Sequence, residues 1–573
     1  MGDILSLLNK KQKKISYIVV ALILCLSAFE LLIFTLIQPI IIFFARDDGV
    51  DKIKTLGNKF NFNISALDVL IFFFIVFVTR SLLSLFVSYL RQKLIKDIND
   101  YLSHKVYSKY LRKNFLFFVN SNSSSFISRI IVEIDKFAYR LIDSLFYLLT
   151  DIAIIIVIIF YLFYIYFLPA LIFFVITLAF FGFFFKTYKY IFKELGQKKL
   201  FYDEKKIKQL QDSFYVIQSI KLENLENFFI GNFKISTEKS SHSTFLSNFI
   251  TELPKNLIEV AMLAIVAMLI GLLFYYFHLP KHEVLAILGL FVFAMFRLLP
   301  SSNRVLYAIN SIRFHSASIN ILKKELELED DIADEAGGIY EDADIYKNKI
   351  VFNEAIKLKN LSFSYGNNID ILKNINLEIK KNKTIGIKGD SGVGKSTLLN
   401  IICYLLLPTE GKVLLDNKEI SNTYKNYQKQ IGYVPQKIYL TDDSIVNNII
   451  FGKKNVGFDE NLFKEVIQKA NLEDFLNKLE NKENTLIGER GSKLSGGQQQ
   501  RIGIARALYK KPEIIIFDEA TNALDQNSEN EILETIKILK KTNTIIIVSH
   551  KGSVLDCCDE IFELKNKQIY KLN

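Results

Sequence analysis

The eight residues Gly389-Asp390-Ser391-Gly392-Val393-Gly394-Lys395-Ser396 constrain this chain more than any other stretch. They have P-loop spacing, follow the apolar run Thr384–Lys388 and open a second apolar run, Ser396–Leu407. The order strand, loop, helix calls for an α/β domain built on a parallel sheet. The glycines let main-chain N–H groups wrap a phosphate, and the helix N-terminus behind them favours an anion. Lys395 supplies a cation for the terminal phosphates, Ser396 a hydroxyl for Mg²⁺, and Thr397 completes the first turn. About a hundred residues on, Ile514–Glu519 reads as a buried strand ending in two carboxylates. Asp518 is placed to hold Mg²⁺ through water, and Glu519 to polarise an attacking water. ATP and Mg²⁺ are therefore the expected cofactors.

Between these motifs stands Leu494-Ser495-Gly496-Gly497-Gln498, at the head of an expected helix Gln498–Tyr509. It resembles the signature of the ATP-binding cassette (ABC) proteins. The resemblance implies that the signature caps the γ-phosphate held by the P-loop of a facing cassette. Other positions fit the same family. Tyr365 resembles its adenine-stacking aromatic, and Gln436, in Tyr433-Val434-Pro435-Gln436, resembles the Q-loop residue. Asp525, in Asn522-Ala523-Leu524-Asp525, resembles the D-loop, and His550 the switch histidine. Gly488-Glu489-Arg490-Gly491 resembles the loop that touches the membrane domain. Asn522 and Lys551-Gly552-Ser553 depart from the common pattern without removing a catalytic group. Glu519, His550 and Gln436 are the expected catalytic residues, with Ser396, Gln436 and Asp518 around the metal.

A chain of 573 residues exceeds one core. Its apolar residues crowd into the first 320 or so. Runs near spanning length occupy roughly 16–44, 66–90, 141–167, 168–185, 257–277 and 284–306, so six membrane helices are expected. Only Phe167-Leu168-Pro169 separates the third from the fourth, which implies a tight hairpin. The long connections 91–140 and 186–254 are rich in Lys and Arg, as is Lys10-Lys11-Lys13-Lys14. The positive-inside rule places them, and the cassette, in the cytoplasm. The same rule accounts for the net charge of +11 without nucleic acid. Cys25, Cys403, Cys557 and Cys558 suggest neither a disulfide framework nor a metal site. The pattern resembles the ABC exporter fold: a polytopic α-helical membrane domain at 1–325, an acidic linker at 326–350, and a C-terminal α/β P-loop ATP-binding cassette at 351–573. Asn122–Lys136 and Gln209–Ile220 are the expected cassette-coupling segments. One cassette makes half a transporter; a homodimer is the economical completion, and a heterodimer is the alternative.

Ionisable groups at membrane depth are costly and usually face a cavity. Arg80 lies about 14 residues into the second run and Arg297 about 13 into the sixth, roughly 20 Å deep for each. Lys255 and Arg304 form a second tier, roughly 30 Å down. Glu30 could pair with Arg80, and Arg304 could snorkel to the interface; the alternative is a cationic cavity for an anionic head group. Phe296–Arg304, with Pro254-Lys255 and Glu259, resembles bacterial flippases for lipid-linked oligosaccharides. That likeness implies ATP-driven flipping of an undecaprenyl-pyrophosphate-linked glycan across the inner membrane, whose pyrophosphate suits paired Arg and Lys. Membrane lipids are then partners as well. Two other readings stay open: a general exporter of lipid A, drugs or hydrophobic peptides, and an ATP-gated channel or sensor.

Overall fold

Long apolar runs satisfy their backbone groups internally only as helices, and the described residues of the N-terminal half are helical apart from short turns. The computed structural model describes residues 2–45, 66–271, 281–327, 351–366, 370–421, 423–452, 458–521 and 524–572. The long helices are α1 (Lys10–Ala45), α2 (Ala66–Leu111), α3 (Asp143–Ile165), α4 (Phe167–Tyr215), α5 (Glu226–Gly271) and α6 (Lys281–Phe314), and the shorter α7 (Ser316–Glu327) follows. Each long helix carries most of one of the six apolar runs. Among the described residues, three stretches are long and apolar enough to cross a membrane: Lys10–Ile37, Leu70–Leu111 and Ser123–Ile165. The expected external segment 46–65 lies outside the described residues.

The expected tight connection between the third and fourth runs lies one residue earlier than the sequence suggests, since Phe167-Leu168-Pro169 already belong to α4. α3 ends at Ile165, Tyr166 breaks the geometry at φ −137° and ψ 78°, and α4 begins at Phe167. The core is shared by several helices: Phe34 of α1, Ile158 and Leu162 of α3, Ala170 of α4, Ile258 of α5, and Phe291 and Leu298 of α6. Pro254 and Pro300 sit inside α5 and α6, where each removes one helical N–H bond.

The chain divides into two compact units, 1–113 with 120–332, and 114–119 with 333–573. The second unit thus takes in Asn114–Val119, whose Leu116 packs against a core that includes Phe352, Leu361 and Ile375. The expected first coupling segment, Asn122–Lys136, lies in the helical unit. There it enters π-type turns at Ser128–Glu133 and Lys136–Ile142 that run straight into α3. In the second expected segment α4 stops at Val216, and a short helix, Ile217–Glu223, ends on left-handed Asn224. The linker expected from residue 326 also starts late. α7 continues to Glu327, and Glu325 is buried, accepting bonds from the Tyr110 hydroxyl at 2.7 Å and Arg129 at 2.5 Å. The rest of the acidic stretch lies outside the described residues.

The C-terminal unit has two sheets. An antiparallel one has the order β2-β1-β4-β5, from β1 (Ala355–Ser364), β2 (Asp370–Lys380), β4 (Glu410–Leu415) and β5 (Lys418–Glu419). The other has the order β10-β9-β3-β8-β7-β6, from β3 (Thr384–Lys388), β6 (Ile431–Val434), β7 (Ile514–Asp518), β8 (Thr544–Val548), β9 (Glu560–Lys565) and β10 (Gln568–Lys571). From β9 to β6 it is parallel. β7 and β8 are buried along their whole length, as strands covered on both faces must be.

Candidate functional site

Parallel α/β sheets gather their chemistry at the carboxyl ends of the strands, and this sheet does so four times. The P-loop leaves β3, Gln436 follows β6, Asp518 and Glu519 end β7, and His550 follows β8. α8 (Lys395–Ile402) starts directly from the loop, shorter than the expected Ser396–Leu407. Gly394 precedes it at φ 106°, and a Cβ there would lie 2.9 Å from Ile371. Only glycine fits that left-handed, crowded corner. Asp390, Ser391 and Gly392 are exposed, Val393 packs on the core, and Thr397 is buried, as expected of the rim and wall of a phosphate cradle.

Lys395 is the hub. Its Nζ donates to the carbonyls of Gly389 at 2.7 Å and Asp390 at 2.9 Å, lies 2.8 Å from His550 Nε2 and 3.6 Å from Glu519 Oε1. His550 Nε2 stands 3.1 Å from Glu519 Oε1, and Gln436 Nε2 donates to Glu519 Oε2 at 2.8 Å. All three expected catalytic side chains therefore meet the P-loop lysine in one polar cluster. Glu519 has a left-handed backbone, φ 49°, and its N–H donates to Val548 at 2.9 Å. A non-glycine residue adopts that conformation at a cost, and here it turns the carboxylate after the last strand residue.

Asp518 is held separately. Burial pushes its carboxyl above the usual range, with the charge of Glu519 adding to the effect. Bonds from Tyr433 and Ser396 and the charge of Lys395 pull the other way. The Tyr433 hydroxyl donates to Oδ2 at 2.9 Å, and burial, with Asp518 beside it, raises that phenol. Ser396 and Asp518 together present hard oxygen donors at the end of the phosphate loop, a set suited to Mg²⁺ completed by phosphate and water. Tyr365 places its hydroxyl 3.2 Å from Thr397 Oγ1 and its ring edge-on to Phe363, leaving it partly exposed beside the loop.

The signature is built on α9 (Gly496–Leu508), which starts two residues before the expected Gln498. Ser495 caps it: Oγ accepts from Gln498 N, and Gln498 Oε1 accepts from Ser495 N, a reciprocal capping box. Leu494 lies against the core, while Ser495 and Gly496 are exposed. Gly497 is buried against α10 (Gln526–Leu539), where a Cβ would meet Ser528 Oγ at 2.7 Å. Asp525 caps α10 through Ser528, which holds its carboxyl below the usual range. Asn522 and Ala523 lie outside the described residues. Among the described residues no hydrogen bond joins Leu494–Gln498 to the P-loop of the same chain.

Three supporting contacts were not foreseen. Tyr433 stood inside the quoted Q-loop motif, but its role as the partner of Asp518 had no sequence signal. Gln500 of α9 donates to the carbonyl of Gln436 at 2.9 Å, tying the signature helix to the Q-loop. Lys551 donates to the Thr521 carbonyl at 2.9 Å and to buried Glu529, which also accepts from Ser553 at 2.8 Å. The unusual Lys551-Gly552-Ser553 run thus anchors the segment after His550.

In the helical unit, Arg80 and Arg297 converge on one carboxylate. Arg80 pairs with buried Glu30, and Arg297 Nη1 lies 3.5 Å from the same Oε1. Their equal depth in the sequence is thereby a shared site. Arg304 makes a two-pronged bond to buried Asp151, at 2.8 and 2.6 Å. Lys255 is half exposed, 3.9 Å from Glu252, and does not join Arg304.

Comparison with known proteins agrees with this geometry. The sequence model of the ABC transporter family matches residues 372–522. An export ATP-binding/permease protein of Rickettsia typhi is 41% identical over 218 residues, 38% of each chain. An ATP-dependent lipid A-core flippase of Francisella tularensis is 39% identical over 36% of this chain and 34% of its own. These matches span little more than a third of the relatives' length. A solved bacterial Atm1-family ABC exporter with ATP bound, 21% identical, superposes over 98% of this chain and 95% of its own with a TM-score of 0.76. The chain therefore has the ABC exporter fold, and its C-terminal unit carries an ABC transporter ATPase domain.

Proposed function

We propose that this chain is half of an ATP-driven translocase that flips an anionic lipid-linked oligosaccharide, of the undecaprenyl-pyrophosphate type, across a bacterial inner membrane. Two copies form the working unit, with six helices each in the bilayer and the cassettes in the cytoplasm. The carrying observation is the cluster of Lys395, Glu519, His550 and Gln436 at the strand ends of one sheet. Bound MgATP supplies the phosphoanhydride whose hydrolysis drives transport. Lys395 leaves its two carbonyls to neutralise the terminal phosphates, and Ser396 and Asp518 hold the metal. Glu519 takes the proton of the attacking water, and His550 and Gln436 hold that carboxylate in place. The exposed Ser495 and Gly496 cap the phosphate bound by the partner copy.

The anionic substrate is supported by Arg80 and Arg297, two cations sharing one carboxylate and so retaining a net positive charge at membrane depth. A lipid A-type substrate is favoured by a different observation, the likeness to the Francisella flippase, though that likeness covers about a third of either chain. Reconstitution in liposomes separates the two. ATP-dependent translocation of a labelled undecaprenyl-pyrophosphate glycan, with none of lipid A, is expected; the reverse outcome selects lipid A. Arg297→Ala should cut glycan flipping about ten- to a hundredfold, the loss of one charge-assisted contact. Arg297→Lys should recover part of it, since an ammonium lacks the guanidinium's fork.

A further inference from the structure

Below the apolar stretches of α3 to α6 the helical unit has a half-open cavity of about 560 Å³. Its wall comes from the π-type turn before α3, the polar second half of α4, the polar first half of α5 and the end of α6. Cations enter from two of these elements: Lys136 and Arg140 from the turn, Lys199 from α4. Neutral donors face them, including Thr244, Asn248 and Tyr307.

The charges do not cancel. Lys136 is neutralised, 2.8 Å from Glu133 and 3.3 Å from Asp203. Arg140 forms no ion pair among the described residues, although Asp143 lies within range of its charge; Lys199 donates to the Thr244 hydroxyl at 2.7 Å and interacts at longer range with Asp203 and Glu133. The wall contributes one carboxylate, Glu252, which has Lys255 at 3.9 Å. His315, on the wall just beyond α6, reports the resulting field. Burial and then the charges of Lys136, Arg140 and Lys199 drive its pKa down to about 3, so it stays neutral. With Glu133 and Asp203 bonded to Lys136 and Lys206, and Asp143 to Arg91, Arg140 and Lys199 stay outside any ion pair among the described residues, and two such cations among hydroxyl and amide donors suit an anion.

We propose that this cavity binds a phosphate-bearing head group, with Arg140 and Lys199 as its charged contacts. The position explains the class. Arg140 immediately precedes the apolar run of α3, and Tyr307 follows that of α6, so the upper rim lies where a bilayer's head groups begin. This part of the reading rests on the helical unit being membrane-embedded, as proposed above. It does not require the transported substrate to be a glycan. The site is distinct from Glu30, Arg80 and Arg297, and from the pair of Arg304 with Asp151.

The chain contains no tryptophan, so Tyr307→Trp installs a single fluorescent reporter in the cavity wall, blind to anions bound at the P-loop. The full chain in neutral detergent is titrated with dodecyl phosphate, with inorganic pyrophosphate and, as a chain-matched neutral control, with dodecyl maltoside. The expected result is a saturable emission shift with dodecyl phosphate. Arg140→Gln and Lys199→Gln, each in the reporter background, should weaken it at least tenfold, and Arg140→Lys should retain most of it. A matching response to pyrophosphate would identify a free anion as a second ligand of the same site; a response to dodecyl phosphate alone restricts the site to lipids. Arg140 is exposed and, among the described residues, outside any ion pair, so its substitution leaves the core intact. No saturable shift with either anion, an equal shift with dodecyl maltoside, or unchanged affinity in Arg140→Gln overturns the proposal. None of these readings uses ATP, so failure of glycan flipping in liposomes leaves this test untouched.

Discussion

Glu519 is held by three groups at once: Gln436, His550 and, at longer range, Lys395. A carboxylate so placed is prevented from swinging away, as the proposed role of general base requires. Glu519→Gln should keep ATP binding and lower turnover by a hundredfold or more, since general-base catalysis contributes that much; paired binding and phosphate-release assays check it. Glu529 illustrates a structural role. The bond from Lys551 holds its carboxyl below the ordinary 4.5. Its folded pKa is depressed, so its stabilisation is complete above pH 4.5 and is lost as the pH falls through the folded value. Lys551→Met should cost about 2 kcal/mol at neutral pH and flatten the acid limb of the stability curve, measured by thermal unfolding of the purified chain between pH 3 and 7. Residue identities within local motifs were legible because a phosphate loop, a capping serine and a strand-end carboxylate are each dictated by neighbours in sequence. Tyr433 bonding Asp518, or Gln500 bonding Gln436, depends on which strands and helices lie side by side, and a single sequence does not state that.

At the scale of elements, the signature helix α9 serves two ends. Its N-cap, Ser495, satisfies the helix's own first turn through Gln498 and still presents an exposed surface. Ser495→Ala should lower cassette stability by about 1 kcal/mol and reduce ATPase activity far more than that loss explains. Ser495→Thr, which keeps a capping hydroxyl, should restore stability ahead of activity; melting curves beside ATPase rates tell the two apart. The strands were predictable because β3, β7 and β8 are short, β-branched and flanked by motifs. Helix limits were less so. α8 ends at Ile402, where Tyr404 turns left-handed at φ 56°, although the apolar run continues to Leu407. The π-type turns before α3 leave no periodic mark. Leu116 was missed as a cassette-core residue because a five-residue helix, Phe115–Val119, is too short to show a pattern.

At the scale of the whole molecule, the family resemblance implies that each chain's phosphate loop is capped by the signature of a second copy. Mixing Lys395→Ala chains with Ser495→Ala chains should form dimers with one intact composite site and one doubly damaged site. Such mixtures should regain ATPase activity that neither homodimer has, read on the isolated mixed species. A fully active monomeric cassette would contradict the paired design. The division into a helical domain and a cassette was legible from the crowding of apolar residues toward the N-terminus. The borrowing of Asn114–Val119 by the C-terminal unit was not, since that short segment has the composition of its surroundings.

The joint between α3 and α4 has a mechanical consequence. A single residue, Tyr166, links a 23-residue helix to a 49-residue helix. So short a tether stores no slack, and the pair behaves like tweezers pinned at one tip. A small angular change at the joint becomes a large displacement at the far end of α4. With a rise of 1.5 Å per residue that arm is about 70 Å long, and a tilt of one degree moves its tip by about 1 Å.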